Sequence, residues 1–219
     1  MMADGRVRPP AMTDQTPPSA PPADPAKRRA ILQACFELFA ERGFRSTDVE
    51  AVAERAGVGK GTVYRYFGNK EELFLATADS SMKELESHIL ESLVDVTDPV
   101  AVIRAAGLAY ADFFEAHPGL VEILILERAE FRDSIPSTHL VYREKNRGIL
   151  DELLEQGIAS GAFRDIDAHQ ATNAFANMLY GTVVCGCLEG SNTKLRSMVE
   201  TGIDIFLNGV LDHGRRRGE

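Results

Sequence analysis

No run of apolar residues in this sequence reaches the roughly 18–20 needed to cross a bilayer as a helix, so a helical membrane span is excluded. Cysteine is scarce. Cys35, Cys185 and Cys187 are an odd number, and the N-terminus has no apolar h-region. The expectation is a protein of the reducing cytoplasm with no disulfide framework. Strand patterning is also missing beyond Ala26. Val183-Val184 and Ile123 to Leu126 are short apolar runs, but both sit inside longer helical periodicities. There is no Gly-x-Ser-x-Gly elbow and no zinc-hydrolase signature, and the five histidines are scattered. Neither a catalytic site nor an enzyme is expected. Cys185-Gly-Cys187 lacks the two-residue spacer of a metal knuckle and no His-x-x-x-His pair occurs, so no metal and no cofactor are expected.

What is present is a core-forming chain with an uneven charge. Of 219 residues 44% are apolar, enough to bury a core, and the formal net charge is −9. Residues 27–70 hold nine Lys/Arg against five Asp/Glu, whereas residues 71–219 hold thirteen against twenty-five. A basic segment on an acidic body fits a chain of which only one part meets phosphate. Residues 1–25 hold seven of the ten prolines and read as a disordered tail, because so little apolar surface cannot offset the entropy of ordering.

The rest reads as nine helices, at about 26–42, 48–56, 60–67, 70–93, 99–116, 119–131, 136–159, 167–189 and 193–212. Gly43 stops the first. Thr47 is the expected N-cap of the second, with Glu50 at the capping-box position. Asp167 and Thr193 are plausible caps, and His117 a plausible C-cap. The predicted fold class is all-α.

The segment from Thr47 to Phe67 carries the most specific pattern. Val49, Val52, Ala53 and Ala56 form one apolar stripe, Gly57 sits in a tight turn, and Val63 and Phe67 lie four apart. Two short helices meeting this way are a helix-turn-helix, whose second helix enters the DNA major groove. The outward face of that helix carries Lys60, Thr62, Tyr64, Arg65 and Tyr66. Gly61 lets its N-terminus approach the DNA backbone. Thr62 is placed to touch a thymine methyl or base edge, and Lys60 or Arg65 to reach guanine. Thr47 and Lys70, at the starts of the second and fourth helices, would hold phosphates on either side.

Residues 27–74 resemble the DNA-binding domain of the TetR family of bacterial transcriptional regulators. The match runs through Phe39-Ala-Glu-Arg-Gly-Phe44, Thr47, Val52-Ala53-Glu-Arg-Ala56-Gly57-Val58, Gly61-Thr62-Val63-Tyr64-Arg65-Tyr66-Phe67 and Asn69-Lys70-Glu71-Glu72-Leu73. The resemblance implies phosphate contacts from Thr47, Tyr64 and Lys70, with Lys60, Thr62, Arg65 and Tyr66 in or beside the groove. It also implies a C-terminal body that binds a small molecule and forms a homodimer. The expected division is then a tail at 1–25, a DNA-binding domain at 26–72, and an effector-binding and dimerisation domain at 73–219. The expected partners are double-stranded DNA, a small-molecule effector and a second copy of the chain.

The body offers weaker signals. The last helix is apolar on two faces, and the eighth carries small residues that permit close helix approach. The expected dimer face is Gly181, Val184, Leu188, Val199, Ile203, Phe206 and Val210. The candidate pocket residues are Tyr110, Phe113, Phe114, Asn173, Asn177 and Tyr180. Glu127, Arg128, Glu130 and Arg132, at helical spacing, read as a solvated, ion-paired face. Two alternatives stay open. Gly57 to Thr62 echoes the end of a nucleotide-binding loop, which would need a buried strand before it. An effector-free architectural DNA-binding dimer would have a body too tightly packed for any pocket.

Overall fold

The computed structural model describes residues 24–133, 136–190 and 194–210. Within them lie nine helices and no β-sheet: α1 (Pro25–Ser46), α2 (Val49–Arg55), α3 (Lys60–Phe67), α4 (Lys70–Ser92), α5 (Pro99–Ala116), α6 (Gly119–Phe131), α7 (Thr138–Ala159), α8 (Ala168–Leu188) and α9 (Leu195–Val210). Almost all of the Pro-rich tail and the expected cap Thr193 fall outside the described residues. No helix among the described residues is long and apolar enough to cross a membrane.

Local chemistry sets most of the boundaries. Asp24 caps α1, Asn69 caps α4, Asp98 caps α5 and Asp167 caps α8, each accepting a first-turn N–H at 2.8–3.0 Å. Gly43, with φ of 78°, breaks the last turn of α1 in a conformation that a side chain would resist. His117 closes α5, its Nδ1 lying 3.0 Å from the Phe113 carbonyl. Two expectations need correction. Asp48, not Thr47, caps α2, accepting from the Glu50 N–H at 2.9 Å. The β-branched Thr47 is instead turned inward. Pro136 precedes α7 rather than opening it, and Ser137 makes no side-chain cap.

α7 is capped from another helix. The Glu127 carboxylate of α6 accepts the Thr138 N–H at 3.0 and 3.2 Å and is also bonded by the Thr138 hydroxyl. Glu127 is therefore buried, at 1% exposure, and not part of a solvated face. An ionised acceptor at a helix start is stabilised by the free N–H groups and the dipole, which offsets its burial.

α1 packs against α2, α4 and α6, and α2 against α3. Ile31, Cys35, Phe39, Val52, Val63 and Leu73 fill this end of the core at 0–1% exposure. Burial pushes the Cys35 thiol up to about 12, so it stays a neutral packing group. α5 runs through the middle of the body, against α4, α7, α8 and α9. Gly107 makes the α5–α9 approach possible, since a Cβ there would stand 2.6 Å from Ile203 Cδ1. Between the two ends, Phe39, Phe44, Phe74 and Phe131 form a cluster of edge-to-face and tilted rings with centroids 5.1–5.8 Å apart.

Candidate nucleic-acid interface and ligand cavity

α2 and α3 meet at Gly57, whose φ of 66° makes the turn. Val49, Val52, Ala53, Val63 and Phe67 are buried there, with Ala56 and Val58 half-buried at the angle. The residues before Gly57 are helical, so the buried strand that a nucleotide-binding loop requires is absent and that alternative falls.

The outward face of α3 brings most of the expected residues together. Gly61, Tyr64 and Arg65 are exposed and Thr62 is half-exposed. Lys60 donates to Glu50 Oε2 at 3.0 Å, and its Nζ stands 3.9 Å from Asp48. The Glu50 bond holds the ammonium pKa above its ordinary value, so Lys60 is charged. Asp48 titrates below its ordinary value chiefly because its carboxylate accepts the Glu50 N–H. Lys70 Nζ lies 4.7 Å from the Phe44 ring centroid and 3.4 Å from the Arg45 carbonyl. These exposed pairings are weak and are replaceable by phosphate.

Two expected contacts lie elsewhere. The Thr47 side chain is 2% exposed, and its hydroxyl donates within α1 to the Gly43 carbonyl at 2.8 Å. Its β-branched side chain is fixed by packing and has no hydroxyl to offer a phosphate. Tyr66 is half-buried; its hydroxyl accepts the Asp24 N–H at 2.8 Å and donates to the Asp24 carbonyl at 3.3 Å. It thus ties α3 to the start of α1. Tyr66 does lie one turn from Thr62 on the same side of α3, but its hydroxyl is taken up by the Asp24 backbone, 42 residues away, which helix periodicity could not reveal.

A half-open cavity of about 250 Å³ lies between α4, α5, α7 and α8. That is just below the roughly 300–1,000 Å³ usual for small-molecule sites. Leu85, Ile89, Leu93, Val102, Leu153 and Phe175 make much of the wall. Exposed Leu90 and Ile149 stand on its rim. The polar lining gathers around Tyr110, His139, Tyr142 and Arg143. Tyr110 Oη and His139 Nε2 are 3.3 Å apart. Burial, with Arg143 as the lesser cause, pushes His139 down to about 4, so its imidazole is neutral near pH 7. Burial raises the Tyr110 phenol, and burial with the bond to Asp79 raises that of Tyr142. Tyr142 donates to Asp79 Oδ1 at 2.9 Å.

Of the six expected pocket residues only Tyr110 lines this cavity. Phe113 and Phe114 pack one turn further along α5, Phe113 against His88 and His117 and Phe114 against Tyr110. Asn173 and Asn177 hold the Arg143 guanidinium, and the Tyr180 ring lies tilted against His139 with centroids 4.3 Å apart. These three support the polar lining from behind. His139, Tyr142 and Arg143 of α7 stand out in the sequence as polar residues within an apolar helix, and they line the cavity, whereas the α4 wall has no signal beyond ordinary amphipathic spacing.

The expected dimer face divides in two. Val199, Ile203 and Val210 are 0–3% exposed inside the chain's own core, so they are corrected to core residues. Phe206 is half-buried, with its ring centroid 4.8 Å from that of Phe175. Gly181 and Val184 are half-buried and Leu188 is 60% exposed on the outer side of α8, near exposed Cys185. On α9 the outward apolar residue is Ile205, at 69% exposure. Among the described residues no group of three or more His, Cys, Asp or Glu is placed to hold a metal ion.

Residues 31–77 match the family model described as "Bacterial regulatory proteins, tetR family". The HTH-type transcriptional regulator YhgD of Bacillus subtilis is 31% identical over 144 residues, which is 64% of this chain and 74% of that one. The fatty acid metabolism regulator protein of Bacillus subtilis is 24% identical over 188 residues, 84% of this chain and 95% of the relative. The crystal structure of the transcriptional regulator FadR from Bacillus subtilis, in complex with stearoyl-CoA, superposes with a TM-score of 0.70 at 22% identity. That likeness covers 83% of this chain and 98% of the other, and concerns the fold.

Proposed function

Because the chain belongs to the TetR family of bacterial transcriptional regulators, we propose that it is an effector-released repressor that binds a partly palindromic operator as a homodimer. The carrying observation is the outward face of α3, where Thr62, Tyr64 and Arg65 stand clear of a buried Val63–Phe67 seam. Residues 26–72 act as the reading unit and residues 73–219 as the effector-binding and dimerisation unit. Thr62, Arg65 and Lys60 read or flank bases. Tyr64, Lys70 and the backbone around Gly61 hold phosphates. Thr47 and Tyr66 contribute by fixing α2 and α3 in place.

One α3 covers few base pairs, so two copies on half-sites about one helical turn apart are needed for useful specificity. The exposed side of α8 at Gly181, Val184 and Leu188, with Ile205 of α9, supports a two-fold helix-on-helix interface. The cavity supports control by an apolar ligand and weighs against an effector-free architectural role. A coupling of about 1–3 kcal/mol between ligand and DNA suffices to change operator occupancy several-fold to a hundredfold. The site of action is the cytoplasm.

The test is selection of duplexes from the source genome with the full-length protein, followed by titration at several salt concentrations. A recovered inverted repeat bound by a dimer is the expected outcome. Binding without sequence preference, or a monomer by sedimentation at micromolar concentration, overturns the reading.

A further inference from the structure

The charges around the cavity do not cancel. Three formally charged side chains line it: Glu86, Arg143 and Arg147. Glu86 is paired with Lys145 at 2.9 Å, and Arg147 with Glu144. Arg143 has no carboxylate within ion-pair distance among the described residues. Its Nη1 donates to Asn177 Oδ1 at 2.7 Å and its Nη2 to Asn173 Oδ1 at 3.0 Å, both neutral amides. The nearby polar groups do not compensate it either. His139 is neutral, Asp79 is held by Tyr142 and Lys83, and Glu127 is engaged by the first turn of α7. A half-buried guanidinium held in position by two amides, facing an apolar cavity, lacks its counter-ion.

The rest of the wall sorts by depth. Tyr110 of α5, Met82 of α4 and Arg143 of α7 stand at the polar end. Leu93, Val102 and Leu153 stand at the other, and from Met82 on α4 to Leu93 at its C-cap is roughly 16 Å at the helical rise. We infer that the effector is an elongated apolar carboxylate, its head group on Arg143 and its tail along α4 toward Leu93. This rests on the reading of the cavity as the effector site, and adds which ligand class that site accepts.

The test uses full-length protein and isothermal titration with hexanoate, decanoate and tetradecanoate. Methyl decanoate and decanol serve as neutral partners and decanoyl-coenzyme A as the thioester. Decanoate is expected to bind roughly tenfold or more tighter than its methyl ester, the scale of a charge-assisted hydrogen-bonded pair. Arg143→Gln is expected to erase that preference, and Arg143→Lys to keep part of it. Asn177→Asp supplies an internal counter-ion without deleting the cation, and is expected to erase it too. The inference is overturned where no carboxylate binds, where ester and alcohol bind as tightly as the acid, or where the thioester binds most tightly and ignores Arg143→Gln, which places the recognised charge on phosphate elsewhere. Loss of dimer in Arg143→Gln with an unchanged acid-over-ester ratio also overturns it, giving Arg143 to the subunit interface. Operator binding and release are measured alongside. Release by neutral ligands leaves the repressor reading standing while this inference fails, whereas absent operator binding removes the repressor reading alone.

Discussion

Filling the cavity should stabilise the protein and deafen it. Ala106 lines the cavity from α5, one turn from Tyr110 and one from Val102. Ala106→Leu projects three more carbons into about 250 Å³ of space. At about 0.8 kcal/mol per buried methylene the transfer gain has an upper value of about 2.4 kcal/mol. Restricting the leucine rotamers costs about 0.5–1 kcal/mol. Helix propensity hardly changes between the two residues. The net is about 1.5 kcal/mol of stabilisation, or roughly 3–6 °C in Tm for a chain of this size. The usual penalty for inserting bulk into a packed core does not arise where there is space to receive it. Thermal unfolding followed by circular dichroism, without added ligand, gives the first answer. Operator binding should be unchanged, and release by any ligand that frees the wild type should be weakened. A variant that melts lower with native helix content, or one that stays fully responsive, would refute the reasoning.

Lys70→Ala should weaken binding to every duplex and lower the slope of log affinity against log salt by about one, checked by fluorescence anisotropy over a salt series. Thr62→Ala should instead alter base preference at one position of each half-site with little change of slope, which a scan of single-base operator variants would reveal. His139 should make the fold acid-sensitive. Its pKa falls on folding from about 6.5 to about 4, so the unfolded chain binds the proton first and stability is lost as pH drops from about 6.5 toward 4. The loss amounts to about 3 kcal/mol, and His139→Gln should flatten that part of the denaturation-versus-pH curve. An unchanged curve would mean the imidazole is more accessible than its 7% exposure implies.

The fold was legible because its signals are local. Asn69, Asp98 and Asp167 cap helices that periodicity alone had outlined, and Val63 and Phe67 marked the inner side of α3. Errors arose where a residue's partner is distant in sequence. Thr47 and Asp48 are adjacent candidates for one cap, and only the packing of α1 decides which turns inward. Tyr66 is taken up by Asp24, 42 residues away. α9 is apolar on two sides, and periodicity cannot say which of them the chain's own core covers and which lies outward. Val199 and Ile203 went to the first, Ile205 to the second. The cavity is an absence of side chains, set by four helices at once. Hence Asn173, Asn177 and Tyr180 pointed to the right neighbourhood without being its walls.

The aromatic cluster bears on how this chain can be recombined. Phe44 belongs to the α1 segment by sequence, yet its ring meets Phe131 of α6 at 5.2 Å, and Arg45 beside it is paired with Glu130 at 3.0 Å. α1 also meets α6 where Gly119 lies against Ala40 and Phe36. The reading head is therefore not a detachable cartridge. A graft of residues 26–72 onto a foreign sensor would carry one half of a shared seam and leave the other half behind. Chimaeras that keep Glu130, Phe131 and the inner side of α6 with the head should inherit its operator, whereas those cut at residue 72 should expose Phe44 and lose solubility before they lose specificity.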